Sequence, residues 1–303
     1  PASAPGGRRR RACARRHVAS TSRRVAATSR VSVTSAAAPT APTCRAARST
    51  RISPTPSTPR SPSRRRARAA AASSTCACCV AASSGEWVLL LGSDAVLSEG
   101  ALSSLLGFME SSSGYGACAP RLIAADGETQ RACASFPLPR TALWFGTPMQ
   151  SWFPRSRELE RYFMRSFAHD VDADVEQPPA TCFLIKRELW DSMGGMDEML
   201  WLFFNDVDLC KRLSERGLKV RFLAESSVQH VGGASTSIYS AFVERWHIDR
   251  LRYLRKHHGL LGAFMARLGT SWVMASWALR RLFFLERDPF WGRFQSYLRF
   301  LRA

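Results

Sequence analysis

The sequence predicts an α/β fold in which a mostly parallel sheet is flanked by helices, with the ordered part beginning at Gly85. Three observations carry this expectation. The run from Glu86 to Leu91 is apolar, of strand length, and ends at a Gly-Ser-Asp break, as in a strand buried on both faces. Two later runs, Ala117 to Ile123 and Thr181 to Ile185, have the same character. Between and after them, apolar residues recur at helical spacing: Ala101, Leu102, Leu105, Leu106 and Met109, then Val207, Cys210 and Leu213.

Taken in order, Gly92-Ser93-Asp94 puts a carboxylate just beyond the C-terminal end of the first strand, where open α/β sheets bind ligands. Ser98 is the expected cap of the helix that follows. Asp126-Gly127 reads as a tight turn after the second strand. Residues 136–178 are rich in aromatics and proline without a clean period, and read as an irregular excursion beside the site. Arg187 to Met193 is a short helix stopped by Gly194-Gly195. The next helix begins at Asn205 as N-cap and runs to Arg216, with Gly217 beyond its end.

Asp206 and Asp208 stand two positions apart on that helix, about 200° around its axis. One carboxylate therefore faces a pocket and the other is structural. Asp206, in the first turn, also gains from the helix dipole. Lys219 to Leu223 reads as a strand, and residues 224–240 as a polar loop carrying His230. Carboxylates and a histidine brought together can serve a metal, a general base, or both. Residues 241–303 read as helical, with four tryptophans and many arginines. Their longest uncharged run, Leu268 to Leu279, is shorter than the about 20 residues a membrane span needs. A helix lying on a membrane surface and helices packed on the core both fit.

Residues 1–84 are different. They hold 17 arginines and no lysine, acid, leucine, methionine or aromatic residue, so a chain of net charge +19 is nearly neutral beyond them. Such a composition cannot offset an ordering cost of roughly 1–2 kcal/mol per residue, and disorder is expected. Three readings apply: a basic arm for nucleic acid, a transit peptide, or GC-rich codons read out of frame, the last being favoured. No apolar stretch there could form a signal-peptide core. The nine scattered cysteines read as reduced thiols, and Cys76-Ala77-Cys78-Cys79 lacks a second pair at zinc-finger spacing.

The motif order resembles family 2 glycosyltransferases, in particular a bacterial rhamnosyltransferase-like branch. The matching pieces are GEWVLLLGSDAVLSEGAL, PRLIAADGETQ, ATCFLIKRELWDSMGGMDE, NDVDLCKRL and QHVGGAS, spread over roughly residues 81–240. The resemblance implies a GT-A-type domain at 85–240, with a disordered segment before it and a helical region, 241–303, after it. It implies that Asp94, with Ser93 beside it, meets the donor diphosphate through Mg²⁺ or Mn²⁺, and that His230 completes the metal site. It implies that Asp206 takes the acceptor proton in a single inverting displacement, while Asp197 and Glu198 face the acceptor. The chain departs from the usual motifs by Gly92-Ser93 before Asp94, by Asn205 where Glu is usual, and by Met196 where Phe is usual.

The implied substrates are a nucleotide-diphosphate sugar and a glycan or lipid-linked acceptor of cell-surface polysaccharide synthesis. The implied location is cytoplasmic, at the inner face of the plasma membrane with peripheral attachment. Nothing in residues 1–84 resembles the first strands of the family, so an unstable or inactive chain is expected. A non-catalytic scaffold and a basic-arm nucleic-acid binder are the alternatives.

Overall fold

The computed structural model describes residues 83–230 and 239–283, together with Val80, Gln295, residues 297–301 and a strand at residues 31–36; for residues 31–36 and 239–242 only the backbone is described. The Cys76–Cys79 stretch and the Gly/Ser residues after His230 lie outside the described residues. Seven strands form one sheet: β1 (Val31–Ala36), β2 (Trp87–Gly92), β3 (Ala95–Leu97), β4 (Tyr115–Ile123), β5 (Ala173–Val175), β6 (Cys182–Lys186) and β7 (Lys219–His230). Their order is β1-β2-β6-β4-β7-β3, with β5 paired to the opening part of β7.

The pairs β1–β2 and β4–β7 are parallel, whereas β6 runs antiparallel to both its neighbours. The GT-A-like α/β class stands, but the sheet is mixed rather than mostly parallel. An apolar run buried on both faces has the same pattern in either direction, so its composition does not reveal its sense. β1 is a second correction, because it lies inside the segment expected to be disordered. It pairs with β2 in register from Val31↔Trp87 to Ala36↔Gly92. Val31-Ser-Val-Thr has three β-branched residues in four, a local strand pattern that the surrounding arginines obscure.

Both faces of the sheet are covered. Val88, Leu90, Phe183, Ile185, Val220 and Phe222 pack under helices α5 (Arg187–Ser192) and α6 (Asn205–Glu215). Leu89, Cys118, Leu184 and Val228 face the other way, against Leu105 and Met109 of α1 (Ala101–Ser111). Gly100, not Ser98, stands at the start of α1, in a left-handed conformation. The Ser98 hydroxyl is instead bonded to that of Ser227 at 3.0 Å.

The expected irregular excursion contains three helices, α2 (Thr141–Trp144), α3 (Pro148–Trp152) and α4 (Arg157–Tyr162), as well as β5. Helices of four to six residues are too short to show a period, which is why composition hid them. Buried Glu158 ties them together by accepting from Arg140, Arg161 and Thr141. Burial alone would raise its pKa, but those bonds outweigh it and hold it at about 2.

The C-terminal helical segment α7 (Tyr239–Leu282) breaks at Gly259, where φ is 59° and ψ is −144°. The chain turns back there so tightly that a Cβ on Gly262 would lie 2.1 Å from the Leu254 carbonyl oxygen. The first half of α7 packs its Ile248, Leu251 and Leu254 on Leu200, Phe204 and Val207. Core packing therefore accounts for this half, the plainer of the two readings of residues 241–303.

Gly195 ends α5 with φ 71°, and its Cα lies against the Trp190 ring, where a Cβ would be 3.1 Å away. Gly195→Ala should cost about 1–3 kcal/mol through the left-handed backbone and overpacking. Urea unfolding of the two proteins measures it.

Candidate active site

The register of β3 against β7 brings Ala95 opposite His230, which places His230 on a strand rather than in the expected loop. The strand continues because β7 bulges: its pairing with β4 jumps from Pro120↔Leu223 to Arg121↔Ser227. A bulge bends a strand and re-aims its later residues. Past this one, Ser98 donates its N–H to Ser227, and β3 takes up the edge of the strand.

Asp94 leaves the turn after β2, and its Oδ2 lies 3.6 Å from His230 Nε2. Gln130, on the chain after β4, fixes the ring. Its Nε2 donates to the His230 carbonyl at 3.0 Å, and its Oε1 lies 2.8 Å from His230 Nδ1. The amide nitrogen faces a carbonyl, so the amide oxygen must accept, and Nδ1 carries the proton. In the neutral ring Nε2 then presents a lone pair toward a carboxylate oxygen.

Two acceptors facing each other at 3.6 Å are too far apart for a hydrogen bond, and suit a cation between them. Ligand bonds of about 2.1 Å span that separation, and Mg²⁺ commonly takes one or two carboxylates with water and substrate phosphates. The Gln130 contact is the kind that orients metal-binding histidines. Among the described residues, no three His, Cys, Asp or Glu side chains converge as a metal site, so the protein would supply two ligands. Ser93 is exposed in the same turn.

Asp206 is anchored on the chain that enters β6. Its Oδ2 accepts from the Ala180 N–H at 3.3 Å, and the carbonyl of the next residue, Thr181, accepts from Gly92 N at 2.7 Å. The Asp94 side chain folds over Gly92, where a Cβ would meet Oδ1 at 3.1 Å. The Ala180-Thr181 backbone thus contacts Asp206 at one end and Gly92, two residues before Asp94, at the other. Asp206 is half-buried, and desolvation raises its pKa. Its partners are backbone N–H groups, including that of Val207 at 2.9 Å, which lower the pKa only in part.

Helix α6 begins after Phe204, not with Asn205 as cap. Phe204 holds φ 62°, a strained value for a bulky residue. Buried Asp249 of α7 fixes the approach by accepting from the N–H groups of Leu202 and Phe203, both at 3.1 Å. Asp208 buries its carboxylate in an ion cluster. Arg212 Nε bonds its Oδ2, and Lys256 Nζ and His257 Nε2 bond its Oδ1, each at 2.7 Å. Lys256 also reaches Asp197 at 2.7 Å, and Asp197 closes a turn by accepting from Met199 N. Asp197 is thus tied to α7, whereas Glu198 beside it is exposed.

Residues 11–248 match the family described as glycosyltransferase like family 2. The chain belongs to that family. The match begins inside the Arg-rich segment, which corrects the expectation that nothing there corresponds to it. The glycosyltransferase domain is 24% identical over 198 residues to the N-acetylglucosaminyl-diphospho-decaprenol L-rhamnosyltransferase of Mycobacterium tuberculosis, in strains CDC 1551 / Oshkosh and ATCC 25618 / H37Rv. That alignment covers 64% of this chain, which spans 60% of the length of these curated relatives. Among solved structures, a mannosyltransferase from Pyrobaculum calidifontis in complex with GDP-Man and Mn²⁺ shares 13% identity, with a TM-score of 0.40 over 72% of this chain and 55% of that one. GalNAc-T7 with UDP, GalNAc and Mn²⁺ shares 12%, also at 0.40, over 69% and 43%. These two resemblances are loose.

Several residues that shape the site of this glycosyltransferase domain escaped the sequence reading. Gln130 sat in view, at the end of PRLIAADGETQ, but its contact with His230 spans 100 residues. Asp249, Lys256 and His257 lie in a stretch read only as helical. Their spacing of seven and eight residues, which puts them on one helix face, was the available signal.

The Asp208 cluster makes a pH prediction. Burial works to raise the Asp208 pKa, but His257, Lys256 and Arg212 hold it at about 2, below the ordinary 3.8. A depressed folded-state pKa stabilises above the ordinary value, and that stability is lost as pH falls through the folded one. At neutral pH Asp208→Asn should cost about 3–5 kcal/mol. The gap between variant and parent should narrow by roughly 2 kcal/mol as pH falls from 3.8 to about 2, as read by denaturant unfolding across that range.

Proposed function

We propose that this domain transfers a sugar, with inversion, from a nucleotide-diphosphate donor to a hydroxyl of a lipid-linked glycan acceptor. The observation that carries the reading is the Asp94–His230 pair beyond the end of β2, with Asp206 anchored on the chain that enters the neighbouring strand β6. Family membership supports the reaction class. The relative's name, with its diphospho-decaprenol acceptor, supports the kind of acceptor and a rhamnosyl donor. We further propose that the reaction occurs at the cytoplasmic face of the membrane that presents such an acceptor.

In this reading the acceptor oxygen attacks the anomeric carbon as the bond to the diphosphate oxygen breaks, and Asp206 takes the hydroxyl proton. A carboxylate whose pKa is raised by desolvation is a stronger base than an exposed aspartate. A divalent cation held by Asp94 and His230 would neutralise the leaving diphosphate. Gln130 keeps His230 Nε2 available, and Ser93 stands at the mouth of the donor turn. Exposed Glu198 meets the acceptor, on a loop that Asp197 and Lys256 hold in place.

Two measurements test this. Asp206→Asn should lower turnover of nucleotide-sugar donors by about 10²–10⁴-fold, the usual worth of a general base. In the parent, activity should fall on the acid side through a pKa above the ordinary 3.8, because folding raises that of Asp206. A variant with full turnover assigns the base elsewhere. Second, Mn²⁺ binding in the presence of UDP, followed by electron paramagnetic resonance, should weaken by roughly 10–100-fold in Gln130→Ala. It should be lost in the double variant Asp94→Ala, His230→Ala. Unchanged Mn²⁺ affinity in that double variant would remove the proposed metal site.

A further inference from the structure

The second half of α7 carries a surface that the catalytic reading does not use. Beyond Gly259, large apolar side chains face solvent along the helix: Leu260 is 83% exposed, Leu261 59%, Phe264 60%, Leu268 43%, Trp272 45% and Leu279 57%. From Leu261 on they recur at spacings of three, four, four and seven residues, which lines them up as one stripe. The opposite side of the same helix is buried, at Ala263, Ala266, Thr270 and Trp277, so the stripe is the outer face of a docked helix. The patch continues onto α3, where Trp152, 61% exposed, meets the Trp272 ring edge-on at 6.2 Å, and Phe153 beside it is 54% exposed.

Charge completes the pattern. Between Gly259 and Phe283 the chain has Arg267, Arg280 and Arg281 and no Asp or Glu. Exposed Arg155 and Arg157 follow Trp152-Phe153. No described helix is long and apolar enough to cross a membrane. An apolar stripe with tryptophans and arginines on a helix that cannot span is the composition of a segment lying in the headgroup region of a bilayer.

We propose that the outer face of α7 beyond Gly259, with Trp152 and Phe153, docks the protein on an anionic lipid surface. The stripe enters the acyl boundary while exposed Arg155 and Arg157, beside Trp152 and Phe153, meet lipid phosphates. The surface is argued from exposure and charge alone, and its test needs neither donor nor acceptor, so its failure and that of the catalytic reading are separable.

The test is sedimentation of the full chain with vesicles of phosphatidylcholine containing about one-third phosphatidylglycerol, at low salt and at about 0.5 M salt. The parent protein should sediment with the vesicles in both. The triple variant Phe264→Ser, Leu268→Ser, Trp272→Ser should partition roughly tenfold or more weakly. Both proteins keep the 17 arginines of residues 1–84, so their attraction to the vesicles is common to the pair and is screened at the higher salt. A parent protein left in the supernatant at the higher salt, or a triple variant that binds equally well, overturns the proposal. So does a concentration-dependent dimer, dissociated by the triple change, in a protein without vesicle affinity. Should the triple variant lose its helical circular dichroism, lipids brominated on the acyl chain decide the matter. Quenching of parent fluorescence that shrinks in Trp272→Phe supports docking, and quenching that does not overturns it.

Discussion

The carboxylate of Asp208 has no contact with solvent, and the arrangement of the chain leading into α6 depends on that one fact. A buried carboxylate without partners would cost several kcal/mol, so Arg212 of its own helix is not enough. Lys256 and His257 of α7 must be docked as well. Docking them brings Lys256 to Asp197, Arg252 to the Met199 carbonyl and Asp249 to the N–H groups of Leu202 and Phe203. The loop between α5 and α6 is thereby held at four points along one helix face. Phe204 can keep a left-handed backbone, a strain of about 1–3 kcal/mol, because its surroundings leave it no alternative. That strain fixes where α6 starts, and so where Asp206 stands.

The Asp94–His230 pair is held by different means. Asp94 sits in a two-residue turn between β2 and β3, and β3 has only three residues. Such a strand is stable because β7 extends past its bulge to pair with it. Without the bulge, His230 would keep the register set by Val220 and Phe222 on β4 and would not reach Ala95. Past the bulge β7 stays parallel to β4 on one edge and takes β3 antiparallel on the other, which brings together two side chains 136 residues apart in the chain.

How much of this was legible depends on the range of each interaction. Apolar runs and short periodic stripes are local, so β2, β4, β6, α1 and α6 could be read from neighbours in sequence. The motif likeness also singled out Asp94, Asp206 and His230, of which the fold sets Asp94 beside His230. Strand direction, the bulge and the secondary structure between Phe136 and Gln177 could not be read, because each is decided by partners far along the chain. Glu158 shows the difficulty: its carboxylate organises α2 and α4, yet in sequence it is one acid among arginines. The Val31–Ala36 strand was missed for the opposite reason, since its local signal was outweighed by the composition of the 84 residues around it.

The two aspartates of α6 show how one turn of helix separates chemistry from structure. They are two positions apart, and their surroundings push their pKa values in opposite directions. Asp208 meets three cationic or imidazole groups, which make its ionised form the only favourable one. Asp206 meets backbone N–H groups alone, with no cation at bonding distance among its described contacts, and its ionised form is penalised. A permanently charged carboxylate is a good strut and a weak base. One whose charge is costly gains by taking a proton from a substrate hydroxyl. Divergent environments for neighbouring carboxylates are how a site assigns such roles, and it is on this ground, more than on motif position, that Asp206 is the better candidate for the base.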